Sequence, residues 1–220
     1  MDIKTIIIVS FVTLFMLTIS SYTLMKNFPA NNSVKNLFVF SLFFFVGQIL
    51  TGLRNIIPDF LSIIVGNNLL ISAHIFLYMA VRGLLGLDSK WHHRYFIPII
   101  VVIIGFIFFT YFIYDIQMRI VIFSLFCALY AIIIGWVFWK YSSSQFIKLN
   151  RFTAIVFFIS VIIFTVRAFK ASITQIPANY LSTTDVIIVL PYLYMIVMTT
   201  LLVLVFTLQI SLSYSNGIDK

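Results

Sequence analysis

Apolar residues run along the chain in long blocks, separated by short polar stretches. The blocks cover Ile3–Met25, Asn36–Leu53, Phe60–Gly86, Phe96–Tyr114, Met118–Trp139, Phe152–Ile173 and Val186–Ile210. About 20 apolar residues, rising 1.5 Å each, cross a hydrocarbon core about 30 Å thick. The stretches between them are short, such as "KNFPANNSVK", "RNIIPD" and "YDIQM". Each block is continuously apolar rather than alternating, so the pattern predicts helices and argues against a membrane barrel. No internal repeat or linker interrupts the series. The expectation is an all-α integral membrane protein, a seven-transmembrane-helix bundle over residues 1–210 with a tail at 211–220. The first block exceeds the 7–15 residues usual for a signal peptide and no small-x-small cleavage site follows, so it reads as a retained helix.

Polar residues inside the blocks fall on helical stripes. Asn67, His74, Tyr78 and Arg82 lie within about 80° of arc at 100° per residue. Ser41, Gln48, Gly52 and Asn55 share a face in the second block, and Thr153, Ser160, Arg167 and Thr174 recur every seventh position in the sixth. Lipid cannot satisfy such groups, so the stripes are expected to face one another inside the bundle. In the fifth block Ser124, Ala128, Ala131 and Gly135 form a small-residue seam suited to close helix approach.

Composition supports the membrane assignment. Hydrophobic residues make up 62% of the 220 positions, and charged residues 9%, with a mean hydropathy of +1.13. The net charge is +8, and no Glu occurs. Without a basic run interleaved with aromatics, that charge points to membrane lipids rather than nucleic acid as partner. Of the 14 Lys and Arg, nine (Lys26, Lys35, Arg82, Lys90, Arg94, Lys140, Lys148, Arg151 and Lys220) fall on the side of the C-terminus, leaving five opposite. The positive-inside rule then places the N-terminus outside and the C-terminus in the cytoplasm. Arg82 and Arg151, near the inner ends, can snorkel as anchors.

Candidate chemistry gathers in the outer half. Arg167 stands about 22 Å along its helix from the inner edge, about 8 Å short of the outer boundary. Gln48 lies at a similar depth, and Asn67 and Asn68 lie about 12–13 Å below the outer end of the third block. With Arg54 and His74, and with Tyr192 and Tyr194 after a helix-opening Pro191, they make up the expected ligand-binding set. A buried cation among amides suits an anionic or polar small ligand. Asp59, Asp115 and Asp185 of the outer loops are the alternative partners for Arg167. Packing is the competing role for every Asn, Gln, Ser and Thr here, each adding about 1 kcal/mol or less.

Catalytic signatures are missing. There is no Gly-rich phosphate loop, no HExxH and no carboxylate pair, and Ser72 and His74 point to different helix faces. One cysteine, Cys127, excludes an intrachain disulfide. The chain therefore reads as a non-enzyme with no metal and no cofactor.

The stretch from Leu53 to Gly86, "LRNIIPDFLSIIVGNNLLISAHIFLYMAVRGLLG", resembles the multi-span N-terminal sensor regions of bacterial diguanylate cyclases (GGDEF proteins). Arg54, Pro58, Asp59, Phe60, Leu61, Ser62, Ile63, Asn67 or Asn68, Arg82 and Gly83 carry the likeness. The blocks opening at Arg119 and Arg151 look similar to later helices of those regions. The resemblance implies an inner-membrane, multi-pass sensor in cyclic-di-GMP signalling. It would read a ligand or membrane state in its outer half and signal through the last helix to a cytoplasmic diguanylate cyclase-type output domain or partner. The catalytic domain itself is absent from this chain. A homodimer is a further expectation. The rival reading is a small-solute transporter or permease using the same stripes as a pathway; inverted repeats and broken helices would favour it, and no repeat is found. A structural assembly subunit is the third.

Overall fold

The computed structural model describes residues 3–88, 96–174 and 186–215. Among them are seven helices: α1 (Ile3–Asn27), α2 (Asn32–Gly52), α3 (Gly66–Leu84), α4 (Phe96–Ile107), α5 (Ile116–Lys140), α6 (Ile147–Ile173) and α7 (Val186–Ser215). Six stretches are long and apolar enough to cross a membrane. The chain is an all-α, multi-pass membrane protein.

Local chemistry explains several boundaries. α1 stops two residues before Pro29, whose ring disfavours helix in the residue ahead of it. α2 starts earlier than its apolar block because the Asn31 side chain caps it, accepting from Ser33 N at 2.9 Å and Val34 N at 3.4 Å. Asp115 caps α5 in the same way, accepting from Met118 N at 3.0 Å. α3 ends with Gly86 at φ 71°, a left-handed position that glycine occupies without strain. Arg82 closes that end, donating from Nε to the Asp88 carbonyl at 2.7 Å and from Nη1 to the Tyr78 hydroxyl at 3.2 Å. It is thus an anchor, as its position near the helix end implies.

Some boundaries differ from the sequence reading. α2 ends at Gly52, and Asn55 sits in a turn at φ 69°, so it leaves the Ser41–Gln48 stripe. α7 runs on to Ser215, five residues beyond the apolar block and into the expected tail. Pro191 lies inside α7 without ending it. The fourth apolar helix, with α4 passing into π-helix at Phe108–Phe112, is shorter than the six candidate spans, so six of the seven expected transmembrane helices reach spanning length among the described residues. A second π-helical segment, Phe60–Val65, leads into α3. The basic loop with His92 and His93, and Asp185, lie outside the described residues.

The helices close a ring in the order α1, α2, α3, α5, α6, α7 and back to α1, with α4 laid against α3 and α5. The Ser124–Ala128–Ala131–Gly135 seam lets α6 approach α5 closely: a Cβ on Gly135 would lie 3.0 Å from the Phe158 ring and 3.1 Å from Phe157 Cβ. Ser21 and Ser41 join α1 to α2 through a 2.7 Å hydroxyl bond. Large apolar side chains such as Phe15, Ile104, Trp136, Ile162 and Leu204 are exposed on the outside, as lipid contact requires.

Candidate functional site

Inside the ring, at the end where α2, α4 and α6 finish and α3, α5 and α7 begin, lies a cavity of about 100 Å³. Every helix except α1 contributes to its wall. Gln48 and Thr51 come from the end of α2, and Arg54 from the turn after it. Asn67 and His74 project from α3, Arg119 from α5, Arg167 from α6, and Pro191 and Tyr192 from α7. Six of the eight residues singled out in the sequence (Gln48, Arg54, Asn67, His74, Arg167 and Tyr192) therefore share one wall.

A π-helical segment leads into the helix that carries "VGNN". Asn67 turns its amide back onto that helix, donating from Nδ2 at 2.6 Å to the Ile63 carbonyl, which also accepts from Gly66 N. Its neighbour Asn68 lies 100° further round and does not line the cavity; its Oδ1 is buried with no hydrogen-bond partner. His74 donates from Nδ1 to the Leu70 carbonyl at 2.7 Å. The rings of Phe44, Phe126 and Tyr130 hold the imidazole edge-on, with centroids 5.8–6.1 Å away.

Three arginines, Arg54, Arg119 and Arg167, line this space. Arg119, only 3% exposed, donates from Nη1 to Thr110 Oγ1 at 3.3 Å and stacks over the Tyr114 ring at 5.0 Å. Arg167 has its Nε buried with no hydrogen-bond partner. No carboxylate lines the cavity among the described residues. Asp59 is exposed and makes no side-chain cap bond, and Asp115 is engaged in capping α5.

Tyr194 belongs deeper, in a second chamber of about 40 Å³ that shares Phe44, His74, Cys127, Phe164 and Met195 with the first. Its hydroxyl is buried without a hydrogen-bond partner. α7 stays helical through Pro191, so Tyr192 and Tyr194, two residues apart, face different chambers.

Sequence reasoning missed two features. Arg119 was counted as an outer-end charge, yet Arg119, Phe123 and Cys127 at i, i+4 and i+8 all reach the cavity; that spacing was the available signal. At the far end of the bundle Gln209 of α7 donates to Asn150 Oδ1 of α6 at 2.5 Å, both residues being buried. Asn150 lies two residues before its apolar block and Gln209 is the single amide of its own, so neither gave a stripe to find.

Comparison with family models, with curated proteins and with solved structures yields no match. The site must be read from its own chemistry.

Proposed function

We propose that the chain is a membrane-embedded sensor module that binds a small anion in its outer half. The observation that carries this is the cavity lined by Arg54, Arg119 and Arg167, with no carboxylate in its wall among the described residues. Arginine at membrane depth is costly, about 2.5 kcal/mol or more near the bilayer centre, and an anion beside Arg167 offsets that cost. An anion entering there would be held by charge-assisted hydrogen bonds, which are about twice as strong as neutral ones.

The cavity end is the outer face if the nine-to-five bias of Lys and Arg orients the bundle in a bacterial inner membrane. α7 meets the cavity at Pro191 and Tyr192 and continues to Ser215 at the opposite end. It is the element suited to pass binding to a cytoplasmic output domain or partner, in keeping with the likeness to diguanylate cyclase sensor regions. The inner end favours a sensor over a permease: Asn150, Val205 and Phe206 are fully buried there, and the Gln209–Asn150 bond ties α7 to α6.

The test is titration of the full chain, in nanodiscs of zwitterionic lipid, with inorganic phosphate and with acetate. Saturable binding that raises the unfolding temperature and is lost in Arg167→Gln is the expected result. Absence of binding by any small anion would overturn the reading.

A further inference from the structure

The arginine cavity does not end at its polar wall. Its floor is Phe44, His74, Cys127, Phe164 and Met195, and the same five residues roof the second chamber. The two spaces are stacked along the bundle, and their chemistry differs sharply. Among the described residues no Lys, Arg or Asp lines the deeper one; Leu77, Ile134, Met198 and Leu202 form much of it. Its hydroxyls are largely spent on their own helices: Ser160 donates to the Phe157 carbonyl at 2.5 Å, and Thr199 to the Met195 carbonyl at 2.8 Å. The Tyr194 hydroxyl faces that of Ser160 and makes no hydrogen bond of good geometry.

We infer that the ligand of this site is a small amphiphile, a carboxylate or phosphate head carrying a short unbranched apolar tail. This rests on the anion-binding reading above. The head sits among Arg54, Arg119 and Arg167, and the tail passes between Phe44 and Phe164 into the deeper chamber. An inorganic anion would fill only the upper space and leave an apolar void below, and such voids stay dry and accept apolar guests. The wall there includes Met195 and Met198, whose unbranched thioether chains adjust to irregular contents. The chamber's size limits the tail. At roughly 10–15 Å³ for each water-sized body, about 40 Å³ takes only a few carbons.

A homologous series tests this. Acetate, propionate, butyrate, pentanoate, hexanoate and octanoate are titrated against the full chain in phosphatidylcholine nanodiscs, with empty discs correcting for partition into lipid. Burial of each methylene in the chamber should raise affinity about fourfold, and the gain should stop after a few carbons. Ser160→Leu, which adds carbon to the chamber wall, should flatten the series and leave acetate binding unchanged. A slope that persists in that variant, or that continues undiminished to octanoate, would overturn the inference because the tail would then lie elsewhere. Should the variant not fold, the wild-type series decides alone. If acetate binds and the series is flat, the amphiphile inference fails while the anion site stands. If neither acetate nor phosphate binds, the anion site itself fails. A parallel series in discs containing phosphatidylglycerol separates a free amphiphile from a lipid: unchanged binding supports the free short-chain ligand, and loss of all binding would mean that an anionic lipid fills the site and would overturn the short tail.

Discussion

Gly47 and Gly66 hold α2 and α3 backbone to backbone: a Cβ on Gly47 would lie 2.9 Å from the Gly66 carbonyl oxygen. From the other side, a Cβ on Gly66 would meet Thr51 Cγ2 at 3.0 Å and Leu50 Cβ at 3.2 Å. This crossing sets the separation of Gln48 and Thr51 from Asn67, and so the width of the cavity mouth.

Gly47→Ala should therefore destabilise the protein by about 1–3 kcal/mol, the range for overpacking a tight contact. Gly105→Ala is the control. Its Cβ would touch only Ile122 Cδ1, the end of a flexible side chain, at 2.9 Å, and alanine is the better helix former. Thermal unfolding in detergent should show a lower midpoint for the first and no loss for the second. Equal midpoints would mean that the α2–α3 contact is slack.

The helices were legible because each apolar block is continuous and bounded by polar loops, although the fourth is shorter than the six that reach spanning length. Most of the site was legible too, since polar side chains in lipid must turn inward, and the stripe bearing Asn67 and His74 did so. Asn68 was not separable from Asn67 by depth; only the direction of the helix face, fixed by the π-helical lead-in at Phe60–Val65, tells them apart. Arg119 escaped because an arginine one turn inside a helix reads as an interfacial anchor until the neighbouring helices are seen to enclose it. The pairing of Asn150 with Gln209 links positions 59 residues apart, a separation that no local pattern reports.

Arg167→Gln should weaken binding of phosphate or acetate at least about tenfold, the equivalent of about 1.5 kcal/mol for a hydrogen bond to a charged group. Folding should survive, since Arg167 Nε has no hydrogen-bond partner to lose. Asn68→Leu should leave affinity unchanged because Asn68 is not in the cavity wall. Calorimetric titration of both variants checks this; an equal loss in both would show that the effect is structural rather than specific to the site.

Tyr194→Phe should stabilise the ligand-free protein. Leaving a buried hydroxyl unsatisfied costs about 1–3 kcal/mol, and the Tyr194 hydroxyl has beside it only Ser160, whose proton goes to the Phe157 carbonyl. The ring packing against Phe164, edge-on at 6.2 Å between centroids, is retained in the variant. A raised unfolding midpoint is expected, and a lowered one would mean that the Ser160 hydroxyl satisfies that of Tyr194.

Orientation can be read directly. With nine of 14 basic residues on the C-terminal side, a reporter active only in the periplasm should be silent when fused after Lys220. Strong activity would turn the bundle over, place the arginine cavity on the cytoplasmic side and remove the basis for sensing from outside.

The last expectation concerns the inner end, where the Gln209 amide donates to Asn150 Oδ1 across α7 and α6. Interhelical hydrogen bonds in membranes average only about 0.6 kcal/mol. Truncating one partner does more harm than losing the bond, because the other amide is left buried and unsatisfied. Asn150 already carries one such atom, its Nδ2. Gln209→Leu alone should thus cost about 1–3 kcal/mol, as should Asn150→Leu. The double variant, with no polar atom left unpaired at the contact, should be more stable than either single one. A double-mutant cycle on thermal unfolding measures the difference. Additive losses would show that the two amides do not act as a pair, and that α7 is held at this end by the apolar contacts of Val205, Phe206 and Ile210 alone.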